Sequence, residues 1–420
     1  MNHIFTALFL LAPATLSAQQ PEVQANQIPI HPLAPPTSTS SELLGSIAGL
    51  KELPGNRLLV NDVRGHRLLV FDATLSTFGV TADSNGTGGK GYPRAAGARI
   101  YNYLGDSAIL VDGTSNVLVV IGPDGALGRA MALVKPADAI GLIAINAGVP
   151  GFDAKARLIY RGWPRGRPAP PPGAAPPPPR TRDSIGIVRA DFESRRLDTI
   201  ASVSWPLQPP SVTTTGANGR SNTTSFINPL PGAPDDWAVL SDGAVAVVRG
   251  HDYHIDWVYA DGTTASTPKM AFDWRRLTDD DKQAKLDSAR RLVDSLATAG
   301  IHYFTSYPSR VDEDGRRVVD TLYPTVGYVP LKDIADYIPP IRLGALRPDA
   351  DGNLWILPTT SAQASGGLLY DVVNQKGKVF ERVQLPRDRD IAGFGRGGVV
   401  YLSRRVGNHQ YVLERTKVVR

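Results

Sequence analysis

Short apolar runs recur in pairs along the chain, and the pairing is more regular than the composition of any one run. Leu58 to Val60 is followed by Leu68 to Phe71, Ala108 to Val111 by Val117 to Ile121, and Val245 to Val248 by Ile255 to Tyr259. Leu354 to Leu357 with Leu368 to Tyr370, and Val399 to Leu402 with Tyr411 to Leu413, continue the series. A sixth pair, Arg157 to Tyr160 with Ile185 to Val188, is split by an insertion. The runs are nearly continuous rather than alternating, which is the pattern of strands covered on both faces.

The same punctuation frames each pair. A glycine turn precedes the first run at Gly55, Gly105, Gly243, Gly352 and Gly397, and Asp or Asp-Gly follows the second at Asp72, Asp124-Gly125, Asp191 and Asp261-Gly262. Glycine supplies positive φ and aspartate hydrogen-bonds its own backbone, as tight hairpins require. Gly55 to Gly105 is 50 residues and Gly352 to Gly397 is 45. A repeat of that size with four strands per unit predicts an all-β chain, a six-bladed β-propeller. The stretch Asp349-Ala-Asp-Gly-Asn-Leu-Trp-Ile356 resembles the strand turn that recurs in exported six-bladed propellers of the NHL and TolB-like kind. That likeness extends through Leu53 to Val60 and the Asp-Gly turns over most of residues 41–420. It implies a fold; activity is not implied, because unrelated functions share this scaffold.

Two stretches break the period. Pro164 to Arg182 is proline-rich and predicts an extended polyproline arm, insertion 164–182. In insertion 271–339 a helix is expected, with Thr278 and Asp281 forming its cap and Gly300 ending it. Leu286, Ala289, Leu292, Val293 and Leu296 form its apolar stripe, and Tyr303, Phe304, Tyr307, Tyr323, Tyr328 and Tyr337 are expected in strands packed on that stripe.

The 41 glycines and 35 prolines agree with many short strands and turns. With no cysteine, disulfides, thiolate metal sites and thiol nucleophiles are excluded. Lys and Arg number 45 against 40 acidic residues, a mild excess without a nucleic-acid motif, so no nucleic-acid partner is expected. Ile4 to Leu16, followed by Leu-Ser-Ala18, reads as a signal peptide over 1–18, although it lacks a basic start; an apolar first strand is the alternative. No later stretch is long and apolar enough to span a membrane, and an exported protein, periplasmic or secreted, is expected. In the last unit only Lys417 to Arg420 remain for a fourth strand, so the segment 19–40 is expected to close the ring through Ile28 to Leu33.

Propeller topology places the turns between second and third strands, and the crossings between units, on one face. Both insertions fall there. So do the cations of Arg64-Gly65-His66, Arg249-Gly250-His251 and Arg405-Val-Gly-Asn-His409, with Arg161-Gly162-Trp163 opening the proline arm. Arg64, His66, Arg249, His251, Arg405 and His409 are therefore the candidate ligand site, a rim suited to carboxylates or phosphates; solvated turn charges are the plainer alternative. His251, Asp252, His254 and Asp256 invite a metal reading, but a hairpin accounts for them and no metal or other cofactor is assigned. Asp349, Asp351 and Asn353 hint at calcium, yet the glycine comes too early for an EF-hand loop.

No nucleophile elbow, HExxH helix or phosphate loop is present. Similarity to propeller lactonases would make Glu52, Asn61, Asp62 and Asp112 the metal-holding candidates, though the motifs around them are missing. The expected function is a non-enzymatic module that binds a protein, peptide or acidic envelope polymer on its elaborated face. The alternative is a metal-dependent, lactonase-like hydrolase.

Overall fold

A computed structural model of the chain describes residues 28–86, 91–93, 98–113, 115–143, 148–162, 182–207, 209, 211–215, 221–304, 309–311, 317–319 and 323–420. The six apolar pairs are the second and third strands of six antiparallel sheets, each of four strands or more. Blade one is Ile47–Leu53, Arg57–Asp62, Arg67–Phe71 and Phe78–Asp83, and blade two Arg99–Asn102, Ala108–Asp112, Val117–Ile121 and Leu127–Ala132. Blade three is Gly151–Phe152, Leu158–Arg161, Arg182–Ala190 and Leu197–Pro206, and blade four Asp236–Val239, Val245–Arg249, His254–Val258 and Thr264–Ser266. Blade five begins with Leu346–Pro348, Leu354–Ile356, Leu369–Val373 and Val379–Gln384; blade six begins with Arg389–Phe394, Val399–Gly407 and Gln410–Lys417.

Alternation along these strands builds the ring. Leu59 and Leu68 face blade two, where they meet Ile100 and Leu110, whereas Leu58, Val60 and Leu69 face blade six and meet Val399, Tyr401 and Leu413. Ile109 and Val111 pack on Leu158 and Tyr160 of blade three, and Ile159 and Ile187 on Trp237 and Val247 of blade four. Val248 and Trp257 meet Leu346 and Leu354 of blade five, and Val372 meets Val400 and Leu402 of blade six. Six cores thus lie between consecutive sheets and the sixth returns to the first: the fold is a β-propeller, and the six sheets agree with the repeat count. Both faces of the middle strands are buried, which is why their sequences are unbroken apolar runs. Inner strands also approach closely: Gly49 has φ +114°, and a Cβ there would stand 2.8 Å from the Ile100 carbonyl oxygen.

The N-terminal segment pairs with blades five and six, with a different register from the expected one. Ile30–Pro32 adds a fifth, parallel strand to blade five, pairing Ile30 with Arg382 and Pro32 with Gln384. The fourth strand of blade six is instead Ser38–Thr39, antiparallel to Arg415 and Glu414. Between them Ala34 N donates to Lys417 O at 2.8 Å, so this short strap crosses the seam between two blades. Pro35 and Pro36, which lack an N–H, separate its two strands. Residues 1–18, expected as a signal peptide, lie outside the described residues.

Three elaborations rise from one face. The blade-three hairpin outruns its second strand, because Arg161 pairs with Ile187 while Gly186 to Arg182 pair onward with Ser202 to Pro206 alone. Those five residues extend roughly 15 Å at strand rise. The proline-rich arm joins this hairpin to Arg161 and, except for Arg182, lies outside the described residues. The crossing from blade three to four carries Val212–Thr215 and Ser221–Ile227, and Thr325–Tyr328 from the crossing between blades four and five pairs with the latter in parallel. Two crossings therefore share one sheet.

The helix Asp279–Thr298 has the expected reciprocal cap between Thr278 and Asp281. Its packing differs from the expectation. Leu286 is buried against Val329, Ile334, Phe226 and Leu230, but Leu292 is 52% exposed, and of the tyrosines named Tyr328 packs there while Tyr303, Tyr323 and Tyr337 are exposed. Tyr307 lies outside the described residues. The crossing hairpin occupies the place expected for the tyrosines.

Candidate functional site

Each residue of the cationic set lies at a turn between second and third strands, all on the face that carries the insertions. Blades one and six are neighbours, so Arg64 and His66 share a stretch of rim with Arg405 and His409. All four are exposed. His66 has φ +51° and sets its ring against the edge of Tyr92 at 6.0 Å. Arg405 Nε donates to the Gly407 carbonyl at 3.0 Å and its Nη2 to Asn408 Oδ1 at 3.5 Å, both within its own exposed turn. Asp388 on the crossing into blade six and Asp390 in the first strand of that blade are exposed, so the rim is mixed rather than uniformly positive.

Arg249 differs from the rest, and blade four stands three places from blade one around the ring. Its Nε donates to Asp256 at 2.7 Å, and its Nη1 donates to Asp235 at 2.9 Å and to the Ser202 carbonyl at 2.8 Å. Burial opposes its charge, but the bonds to Asp256 and Asp235 outweigh that and raise its pKa. Arg249 thus ties blade four to the outer strand of blade three, with its Nε and Nη1 engaged, whereas His251 beside it is exposed. The metal reading of this hairpin meets a different geometry. His254 Nδ1 lies 3.0 Å from Asp252 and Nε2 lies 3.2 Å from Asp256, an arrangement in which the ring bridges two carboxylates. Among the described residues no three His, Asp or Glu side chains converge as a metal set.

The lactonase-like candidates are dispersed and engaged. Glu52 pairs across the first hairpin with Leu58, and Asp62 with Ile47, so the two stand at opposite ends of it. Leu58 to Asp62 is about 13 Å at strand rise. Glu52 accepts from Arg396 N and the Tyr401 hydroxyl, both at 3.0 Å. Asp62 Oδ1 accepts from the backbone N–H of Gly45, Ser46 and Gly65, and its Oδ2 from Arg67 Nε. Asn61 donates to the Ala98 carbonyl and accepts from Tyr92 at 2.6 Å. Asp112, which ends the second strand of blade two, accepts from Ser115 N. In the calcium-like turn, Asp349 accepts from Asn353 N and Trp355 Nε1, and Asp351 from the N–H groups of Gly397 and Gly398 in blade six. These carboxylates fasten turns and seams.

Three features had no legible sequence signal. Asp236 opens the inner strand of blade four and is 1% exposed; its Oδ2 accepts from Leu346 N at 3.3 Å while Oδ1 has no partner. Burial raises its pKa to about 7 against the pull of the Trp237, Leu346 and Ala345 amides and of Arg347. On the opposite face Lys51, Glu52, Asp106 and Arg396 gather, with Arg396 Nη2 3.1 Å from Asp106 and Lys51 Nζ donating to the Gly105 carbonyl. Burial, then the Arg396 charge, lower the Lys51 pKa despite Asp106 and Glu52. The third feature is a cleft of about 780 Å³ at the perimeter, between blades one and two. Each depends on neighbours brought by other blades, so local sequence carries no trace of it.

No family model matches the chain, and no curated protein matches it. Solved structures similar to it include a gluconolactonase from Xanthomonas campestris, 12% identical over 92% of this chain and 95% of that one, with a TM-score of 0.33. Regucalcin from Agrobacterium tumefaciens, a calcium-binding protein, is 10% identical over 93% and 96%, TM-score 0.39. A nidogen/laminin complex is matched at 11% identity over 80% of each chain, TM-score 0.33. Likeness at this level carries no argument, and the fold rests on the strand register and the six interlocking cores.

Proposed function

We propose that the protein is an exported binding or scaffold module that takes an acidic ligand, an envelope polymer or an acidic protein or peptide segment, on the face built from the crossings and the second-to-third-strand turns. One observation carries this reading: the long blade-three hairpin, the root of the proline-rich arm, the shared crossing sheet and its helix all stand on the same face as the exposed cations of blades one and six. Loops on a rigid scaffold are where recognition concentrates. The committed hydrogen bonds of Asp62, Asn61 and Glu52, and the separation of Glu52 from Asp62, speak against the hydrolase alternative.

The test is a titration with dextran sulfate followed by calorimetry. Binding should weaken as salt rises, because exposed charges are screened over ~8 Å at physiological ionic strength. A double variant, Arg64→Ala with Arg405→Ala, should lose affinity while melting as the parent does, since neither side chain is buried. Undiminished affinity in that variant would remove the proposal. Export is tested separately, by sequencing the N-terminus of protein recovered outside the cytoplasm, with cleavage after Ala18 expected.

A further inference from the structure

We infer that the perimeter cleft between blades one and two holds an extended, basic peptide segment of a partner protein, added as a fifth strand to the outer edge of blade one.

The cleft exists because of what is missing from the outer strand Phe78–Asp83. Gly79 pairs with Val70, and Val70 packs toward blade two, so Gly79 stands on that same face. A Cβ on Gly79 would meet nothing within 4 Å. Across the gap lie Asp124 to Gly128, the turn and first residues of the outer strand of blade two, and Val70 and Leu127 supply apolar lining. Neighbouring Phe78 and Val80 are 38% and 52% exposed. Among the described residues the outer edge of this strand is unpaired from Phe78 to Ala82, while its last residue, Asp83, bridges to Gly91 and accepts from Tyr92 N at 2.7 Å. Such an edge presents a row of free N–H and C=O groups, the template for strand addition, with an adjoining pocket for alternate side chains.

This chain already uses that mode elsewhere. On blade five, Arg382 N donates to the Pro29 carbonyl at 2.8 Å as Ile30–Pro32 joins the outer edge. Blade six is completed by Ser38–Thr39 in the same way. An outer edge of this ring therefore accepts an extended segment.

Charge selects the occupant. Asp72 and Asp124 line the cleft, Asp72 half-buried and Asp124 exposed at its margin. Hydrogen bonds from Thr77, Thr74 and Ser76 keep Asp72 ionised. The one cation there, Arg57, spends its donors on the Pro54, Pro123 and Asp124 carbonyls. The margin thus carries two carboxylates without a guanidinium bonded to them, which favours Lys or Arg alternating with aliphatic side chains that enter beside Gly79.

The probe is a fluorescein-labelled octapeptide of alternating Lys and Val, compared with its Glu-Val counterpart and with a copy N-methylated at every second amide. Anisotropy should show saturable binding of the Lys-Val peptide, and hydrogen exchange should show new protection across Phe78 to Ala82. Glu for Lys, N-methylation, and the variant Gly79→Leu, which projects a side chain into the cleft, should each weaken binding about tenfold or more, the equivalent of one or two lost hydrogen bonds or charge contacts. Unchanged melting of Gly79→Leu shows that the ring is intact. No saturable binding, equal affinity for Gly79→Leu, or survival of N-methylation would overturn the inference. So would concentration-dependent dimerisation that protects Phe78 to Ala82 without peptide, which would assign the edge to a second copy. Arg64→Ala with Arg405→Ala should leave peptide binding unchanged, so this site stands or falls apart from the elaborated face.

Discussion

Asp236 allows a prediction whose sign is unusual for a carboxylate. Its side chain links the inner strands of blades four and five through Leu346 N, and burial holds its pKa near 7, above the 3.8 of a free aspartate. Below pH 4 both folded and unfolded chains carry the proton, and the site costs nothing. From pH 4 to 7 the unfolded chain ionises while the folded one keeps its proton, so stability falls as pH rises. Above pH 7 the loss is complete. Three pKa units correspond to about 4 kcal/mol at pH 8, with less than half of that already lost at pH 5. Asp236→Asn keeps an acceptor for Leu346 N and removes the charge; the new NH2 takes the place of Oδ1, which has no partner, and costs about 1 to 3 kcal/mol at every pH. That offset cancels when two pH values are compared. Urea unfolding of both proteins at pH 5 and pH 8 should therefore show the variant gaining on the parent by roughly 2 to 3 kcal/mol between them. A constant difference, or a variant that loses ground at pH 8, would refute the reasoning.

Deleting residues 19–40 removes Leu33, the strands Ile30–Pro32 and Ser38–Thr39, and the bonds from Ala34 and Thr37 to the last strand, so the melting temperature should fall by roughly 5 °C or more; an unchanged melt would show that the strap does not hold the ring. Arg249→Ala should destabilise by about 2 kcal/mol in denaturant titrations, because Asp235 is left largely buried without its partner, whereas Arg64→Ala should be neutral. Dialysed protein should melt at the same temperature with and without chelator, since the carboxylates proposed for a metal are spent on backbone donors and arginines; a stoichiometric retained metal with chelator sensitivity would restore the hydrolase reading.

The sequence disclosed the strands that are buried twice. Leu58 to Val60 and Ile109 to Val111 are continuous apolar runs because successive side chains enter different seams. First and fourth strands carry a weaker signal for the converse reason. Ile47–Leu53 is partly buried along most of its length, and Thr264–Ser266 is exposed throughout. The hairpin Val212–Thr215 and Ser221–Ile227 reads as a polar loop and becomes sheet through a partner strand about a hundred residues away, Thr325–Tyr328. The helix was legible because its cap is local. For the cationic set the residue types were readable and their neutralisation was not: the partners of Arg249 are 7 and 14 residues distant and reach it only through strand pairing.

The unequal cores of ring and insertion give a last prediction. Each seam between blades is a cluster of eight or more buried residues, for example Ile159, Ile187, Val203 and Trp237 with their neighbours between blades three and four. The insertion rests on three, Leu286, Val329 and Ile334. Most of a helix's stability in a protein comes from packing of its apolar face, so the helix Asp279–Thr298 depends on that small core and on the ion pair of Lys282 with Asp336 at 2.6 Å. Local opening needs only those contacts to break, while exchange from Leu58 to Val60 or Val245 to Val248 requires a seam to part. Amides of the helix should therefore exchange at least ~100-fold faster than those of the middle strands under native conditions, a gap of about 3 kcal/mol. An acidic polymer that contacts the elaborated face should narrow this gap by favouring the closed insertion, because a ligand bound only to that state stabilises it by mass action. Equal protection of helix and middle strands without ligand would mean that the insertion is part of the ring's cooperative unit. Its packing on Phe226, Leu230 and Leu331 would then count for more than the three buried residues suggest.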